Sequence, residues 1–166
     1  QTTQAAPTEQ PTPEPDLVQQ LLEEMTLEQK VGQLFLVRPD SLDLSQTQDQ
    51  INDAKADGVT ELTDAMRQTL AEYPVGGVVI FGKNLESPQQ ITQFLDDLQQ
   101  ASDTPLFTAI DEEGGLVARL ANNAAFDLPQ YESAAAVGTS GNPEDARAMG
   151  RTIGGYLKEY GFNLDF

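Results

Sequence analysis

Three consecutive carboxylates, two glycines and an arginine stand close together in the string PLFTAIDEEGGLVAR at residues 105–119. Asp111, Glu112 and Glu113 offer oxygens that accept hydrogen bonds or hold hard cations. Gly114 and Gly115 let the backbone turn sharply, and Arg119 can return a positive charge to the same place. The chain has no cysteine and no histidine. Thiolate nucleophiles, disulfides and cysteine zinc sites are therefore excluded, and so is the usual proton carrier near neutral pH. Acid–base chemistry within these residues has to come from carboxylates, lysine, tyrosine or arginine. Spacing alone leaves open a plain solvated turn of acids and glycines.

The element that positions these residues is the apolar run at 106–110, short enough for a buried strand. Strands of parallel sheets, buried on both faces, read as continuous runs of this kind. Ligands in such sheets meet residues at the carboxyl ends of the strands, which is where Asp111 falls.

The rest of the chain alternates in the same way. Residues 1–15, QTTQAAPTEQPTPEP, carry four prolines and almost nothing to bury, and are expected to form a disordered Pro/Thr/Gln-rich tether. Asp16 can cap a first helix with Leu17, Val18, Leu21, Leu22 and Met25 on one face. Thr26 to Gln29 reads as a capping box opening a second short helix. A strand is expected at 33–38, then a polar insertion or long loop at 40–58 with a helical turn near Ile51. A helix with Leu62, Met66, Leu70 and Tyr73 at helical spacing ends at Pro74. The second strand is VGGVVIF at 75–81, followed by Ser87-Pro88 and a helix to about residue 100. Beyond the third strand, residues 121–141 read as an irregular loop. The last helix opens at Asn142-Pro143 and presents Ala146, Met149, Ile153, Leu157 and Tyr160; Gly161 supplies its left-handed cap. A fourth strand begins at 162–166.

Strand and helix thus alternate with short connections, which implies an α/β fold with parallel strands and right-handed crossovers. A small doubly wound sheet and the first half of a (β/α)8 barrel both fit. The bare apolar strand at the end favours the half barrel.

The chain has 166 residues, 39% of them hydrophobic, enough for one domain with a sizeable core. Acidic residues outnumber basic ones 27 to 9, giving a net charge of −18. Nucleic acid and anionic membrane surfaces are repelled by that charge. No apolar run is long enough for a transmembrane segment. A tether like 1–15 commonly lies between an export signal or lipid anchor and a folded domain. An extracytoplasmic protein, secreted or lipid-anchored, is therefore expected.

Four strings, MTLEQKVGQLF, YPVGGVVIFGKNLESPQQI, PLFTAIDEEGGLVARL and GFNLDF, occur in the order expected of family 3 glycoside hydrolases. The chain most resembles their bacterial β-N-acetylhexosaminidase branch, over residues 17–166. A D-x-E-G-G-x-V-x-R string after a strand is typical of that branch. The resemblance implies that residues 16–166 are the N-terminal part of a (β/α)8 domain, apparently truncated, that acts by retaining hydrolysis of a terminal β-linked N-acetylhexosamine. It implies that Asp111 hydrogen-bonds sugar hydroxyls and that Arg119 also contacts the sugar. No cofactor and no metal follow from it. Glu112 and Glu113 are expected to be structural, pairing with Lys or Arg or holding the loop. Leu116 departs from relatives that carry a basic residue there, so a surrounding salt bridge is expected to be missing.

Retaining hydrolysis needs a nucleophile and an acid/base on opposite sides of the bond. In this branch the nucleophile is an aspartate on a later strand and the acid/base a histidine in a KHFPGHG-like motif, and neither lies in this sequence. The chain alone is expected to be inactive, with no catalytic residue of its own. Its partners would be a carbohydrate substrate and the remainder of the barrel or a second copy. Two other readings stay open: a non-catalytic sugar-binding or assembly half barrel, and a doubly wound domain whose Asp111, Glu112 and Glu113 hold Mg²⁺ or Ca²⁺.

Overall fold

The computed structural model describes residues 16–166; the tether expected at 1–15 lies outside them. The strands are β1 (Leu36–Val37), β2 (Gly77–Ile80), β3 (Phe107–Ile110), β4 (Glu112–Gly114), β5 (Val117–Ala118) and β6 (Leu164–Asp165). The principal sheet runs β1-β2-β3-β6, every neighbour pair parallel. β4 and β5 form a separate antiparallel hairpin.

Between these parallel strands lie three main helices, α4 (Asp64–Glu72), α5 (Pro88–Ala101) and α7 (Pro143–Glu159). Each begins on a side-chain cap, Thr63, Ser87 and Asn142, and the last two carry proline in their first turn. Met66 and Leu70 of α4, Ile91 and Phe94 of α5, and Ile153 and Leu157 of α7 are buried in one core with Val78, Ile80 and Ile110. Of the positions chosen by helical spacing in α4 and α7, Met66, Leu70, Met149, Ile153 and Leu157 are buried, whereas Tyr73 and Ala146 are exposed and Tyr160 is half-buried.

Strand order decides between the two folds the sequence left open. A doubly wound sheet reverses its strand order at a switch point and carries helices on both faces. Here the four strands follow chain order, and the two sheet faces differ. Val78, Ile80, Thr108 and Ile110 point to the helices and are fully buried. On the opposite face, Leu36 and Phe107 each pair with Gly77 of the strand between them, and these two side chains remain open, Leu36 at 37% and Phe107 at 52% exposure. One helix-covered face and one inner face are the anatomy of the first half of a (β/α)8 barrel.

Several local expectations need correction. The first strand is confined to Leu36–Val37, because 33–35 are taken up by turns in which Leu34 N–H and Phe35 N–H donate to Val31 O and Gly32 O. The segment at 40–58 is no plain polar loop. A 3-10 turn at Pro39–Leu42 buries Asp40, and α3 (Gln48–Asn52), closed by a Thr47/Gln50 capping box, buries Ile51. The loop at 121–141 contains α6 (Ala134–Thr139), capped by Ser133. At the other end of the chain, α1 (Leu17–Glu24) and α2 (Leu27–Gly32) form as expected, capped by Asp16 and Thr26. They bury no residue among those described, so the apolar face of α1 is solvent-facing.

β6 is held by side chains as well as by its short ladder. Asn163 Oδ1 accepts from Thr108 N–H at 2.9 Å, and Asn163 Nδ2 donates to Leu106 O at 2.9 Å. Thr108 Oγ1 donates to Gly161 O at 2.8 Å, which occupies an otherwise costly buried hydroxyl.

Candidate sugar-binding site

Alternation along β3 sends Ile110 to the helices and Asp111, just past the strand, to the inner face at its carboxyl end. The chain then reverses through β4 and β5, with Glu112 opposite Ala118 and Gly114 opposite Val117. Reversal this tight requires backbone that other residues resist. Gly114 and Gly115 have φ of 81° and 68°, and a β-carbon on Gly115 would lie 2.7 Å from Glu132 O. Arg119 emerges beside Asp111, its Nη2 donating to Asp111 Oδ2 at 2.9 Å. The two residues named from the sequence are therefore brought together. Each keeps part of its surface in solvent, 34% for the Arg119 side chain and 26% for that of Asp111.

Glu112 faces the other way. It is completely buried, with Oε2 accepting from Leu120 N–H at 2.8 Å and Oε1 from Ala121 N–H at 2.9 Å. Tyr156 Oη adds a third donor at 2.8 Å. These three bonds anchor the hairpin to α7, so Glu112 holds the loop and pairs with neither Lys nor Arg. Burial and the Glu112 carboxylate together push the Tyr156 phenol well above its usual range. Glu113 is exposed on the hairpin. With Glu112 turned into the core, the three acids do not converge, and the Mg²⁺ or Ca²⁺ reading loses its ligand set. Among the described residues no other cluster of three acidic ligands replaces it. Leu116, at the hairpin tip, is 99% exposed.

Further residues complete the mouth, and the sequence reading passed over them. Phe81 follows β2 as Asp111 follows β3, and Arg38 follows β1 in the same way. The Cζ of Arg38 sits 4.3 Å from the centroid of the Phe81 ring, and that of Arg119 5.7 Å from it. Arg38 Nη1 also donates to Ile51 O at 2.8 Å. The signal was available, since the rule that located Asp111 applies to the end of every strand. Beneath them lies an ion pair: Lys83 Nζ is 3.2 Å from Asp40 Oδ1, their side chains 5% and 0% exposed. Asp40 further accepts from Val59 N–H and Asn84 Nδ2, and Lys83 donates to Gln50 O and Ile51 O. Asp165, in register with Ile110, lies on the helix side with Glu112, its Oδ1 accepting from Glu112 N–H at 2.9 Å. Its carboxyl is raised above the usual range by partial burial, opposed by that N–H bond, with Glu112 and Asp111 adding like charge.

The pair has the donor and acceptor chemistry that polyols call for. A carboxylate accepts two hydroxyl hydrogen bonds, and a guanidinium already neutralised by it keeps donors for others. Residues 26–166 match the family described as glycosyl hydrolase family 3 N terminal domain. The chain is 31% identical over 113 residues to β-hexosaminidase A of Pseudoalteromonas piscicida, covering 65% of this chain and 19% of that protein. It is likewise 31% identical over 111 residues to the β-hexosaminidase of Thiobacillus denitrificans, covering 64% and 30%. A solved family 3 β-N-acetylglucosaminidase from a Paenibacillus species superposes with a TM-score of 0.67 at 31% identity, covering 86% of this chain and 24% of that one. The chain thus spans less than a third of the length of each of these relatives, matching their N-terminal domain. With its half barrel and the hairpin of residues 111–119, the chain belongs to glycoside hydrolase family 3, in its bacterial β-hexosaminidase branch.

Proposed function

We propose that this chain supplies part of the sugar-binding site of a retaining β-N-acetylhexosaminidase that removes terminal β-linked N-acetylhexosamine from glycans. The reading is supported chiefly by Asp111 and Arg119, paired at 2.9 Å where a barrel binds its substrate. Asp111 accepts from sugar hydroxyls and Arg119 donates to the sugar from the opposite side of the pair. Neither has the role of nucleophile or acid/base. Those two groups belong to the part of the barrel outside these 166 residues, on the same polypeptide or a partner, and the chain alone is inactive. The intact mass of the native protein and its hydrolysis of a chromogenic N-acetyl-β-glucosaminide test this together. A mass well above 18.0 kDa with turnover is expected, whereas turnover by the 166-residue chain on its own would overturn it.

The uncovered inner face favours a second reading, a non-catalytic sugar-binding half barrel that assembles with a copy of itself. An 18.0 kDa native polypeptide that binds N-acetylglucosamine as a dimer and cleaves nothing would select it. Under either reading the Pro/Thr/Gln composition of 1–15 supports an extracytoplasmic location, secreted or lipid-anchored, with a role in carbohydrate metabolism or cell-wall glycan turnover. Fractionation of the source cells tests the location.

A further inference from the structure

The mouth of the half barrel holds more positive charge than the sugar reading uses. Arg119 is matched by Asp111, but Arg38 has no carboxylate within ion-pair distance among the described residues. Asp40, two residues away, is turned inward to Lys83. In a chain where acids outnumber bases 27 to 9, a guanidinium left without an acid at a ligand-facing strand end is unexpected. Arg38 is also held in place. Its face lies on Phe81, and its Nη1 donates to Ile51 O at 2.8 Å and to Asn52 Oδ1 at 3.4 Å. Ile51 O also accepts from the buried Lys83 Nζ at 3.1 Å, so the carbonyl that orients Arg38 is itself fixed. Stacking on a ring leaves the in-plane donors of a guanidinium free, and Nε and Nη2 of Arg38 donate to no described protein group. Arg119, over the same ring, has its Nε buried and without a partner among the described residues.

We propose that Arg38, with Phe81 and Arg119, forms an oxyanion subsite beside Asp111 that selects glycans carrying a carboxylate or sulfate substituent. The inference rests on the reading of Asp111 and Arg119 as sugar ligands and adds the class of substituent. The planar fork of Arg38 matches either oxyanion through paired N–H donors, while Asp111 takes hydroxyls. The −18 charge of the whole chain repels anions at long range. At physiological ionic strength that field is screened beyond about 8 Å, so selection is set by these direct contacts.

The test is a titration of the full chain, followed by its ¹H–¹⁵N amide and arginine Nε–H resonances. The probes are N-acetylglucosamine, its 6-sulfate, and the disaccharide glucuronyl-N-acetylglucosamine. One or both anionic sugars are expected to bind about tenfold more tightly than the neutral one and to shift the Arg38 Nε–H resonance. Which of them does so tells sulfate from carboxylate. Arg38→Gln should remove the preference and Arg38→Lys retain part of it, with dispersed amide spectra reporting that each variant is folded. The wild-type Arg38 shift stands as a readout if a variant does not fold. Equal affinities for all three sugars, no binding of any, or a preference that survives Arg38→Gln would overturn the subsite. Binding of the anions alone would remove the neutral-sugar reading and leave the oxyanion site in place.

Discussion

Tyr156 donates its hydroxyl to Glu112 at 2.8 Å, joining the last helix to the first residue of the hairpin that returns Arg119 to Asp111. The helix therefore reaches the ligand-facing side of the protein through a carboxylate that never faces a ligand. Tyr156→Phe removes one of three donors to a fully buried charge, and should cost about 1.5–3 kcal/mol by urea denaturation. Glu112→Gln should cost more, because its amide nitrogen would face the N–H of Leu120 or Ala121.

Alkaline titration reads the same pair. Tyr156 has its pKa raised in the folded chain by burial first and then by Glu112. A raised pKa means that its stabilising contribution is whole below the unfolded value of about 10 and is lost as pH climbs through the folded one. Ultraviolet titration near 295 nm should show a tyrosine that ionises only with unfolding, and Tyr156→Phe should abolish that late step. A late step that persists in Tyr156→Phe would show that this tyrosine is not the protected one.

Lys83 and Asp40 form a buried pair whose partners cannot be separated cheaply. Lys83→Met leaves the Asp40 carboxylate buried with only the Val59 N–H and Asn84 amide for company. A loss of about 3–5 kcal/mol is expected, measured by thermal or denaturant unfolding. A change below about 1 kcal/mol would mean that the pair is solvated in solution.

The uncovered inner face makes its own prediction. Phe107 is half exposed, and Leu36 shares its face from the first strand, across Gly77. Exposed apolar patches and bare strand edges promote association. Light scattering should find the 166-residue chain larger than 18.0 kDa, and Phe107→Lys should shift it toward monomer. A monomeric wild-type chain at high concentration would remove the assembly reading.

Much of this was legible because apolar periodicity and caps are local. Ser87-Pro88 announced the start of the helix to about residue 100, in which Ile91, Phe94, Leu95 and Leu98 stand at helical spacing and are buried. Asp111 could be placed by the strand-end rule and Arg119 by its closeness in sequence, while their roles toward a sugar came only through resemblance. What stayed hidden depended on contacts distant in sequence. Nothing local distinguishes the buried Glu112 from the exposed Glu113, because strand alternation and a tyrosine 44 residues away decide between them. Residues 40–58 looked polar and dispensable because Asp40 reads as a surface acid until Lys83 is seen beside it. Arg38 was missed for the opposite reason, a rule applied to one strand end and not to the others.

The measurement that bears most directly on the sugar site is a titration of the ¹⁵N-labelled chain with N-acetylglucosamine. Saturable shifts centred on Asp111, Glu112 and Arg119 are predicted. Asp111→Asn or Arg119→Ala should weaken binding at least about tenfold, as expected for hydrogen bonds to charged groups. Shifts elsewhere on the chain, or unaltered affinity in both variants, would contradict the assignment of this mouth to a sugar.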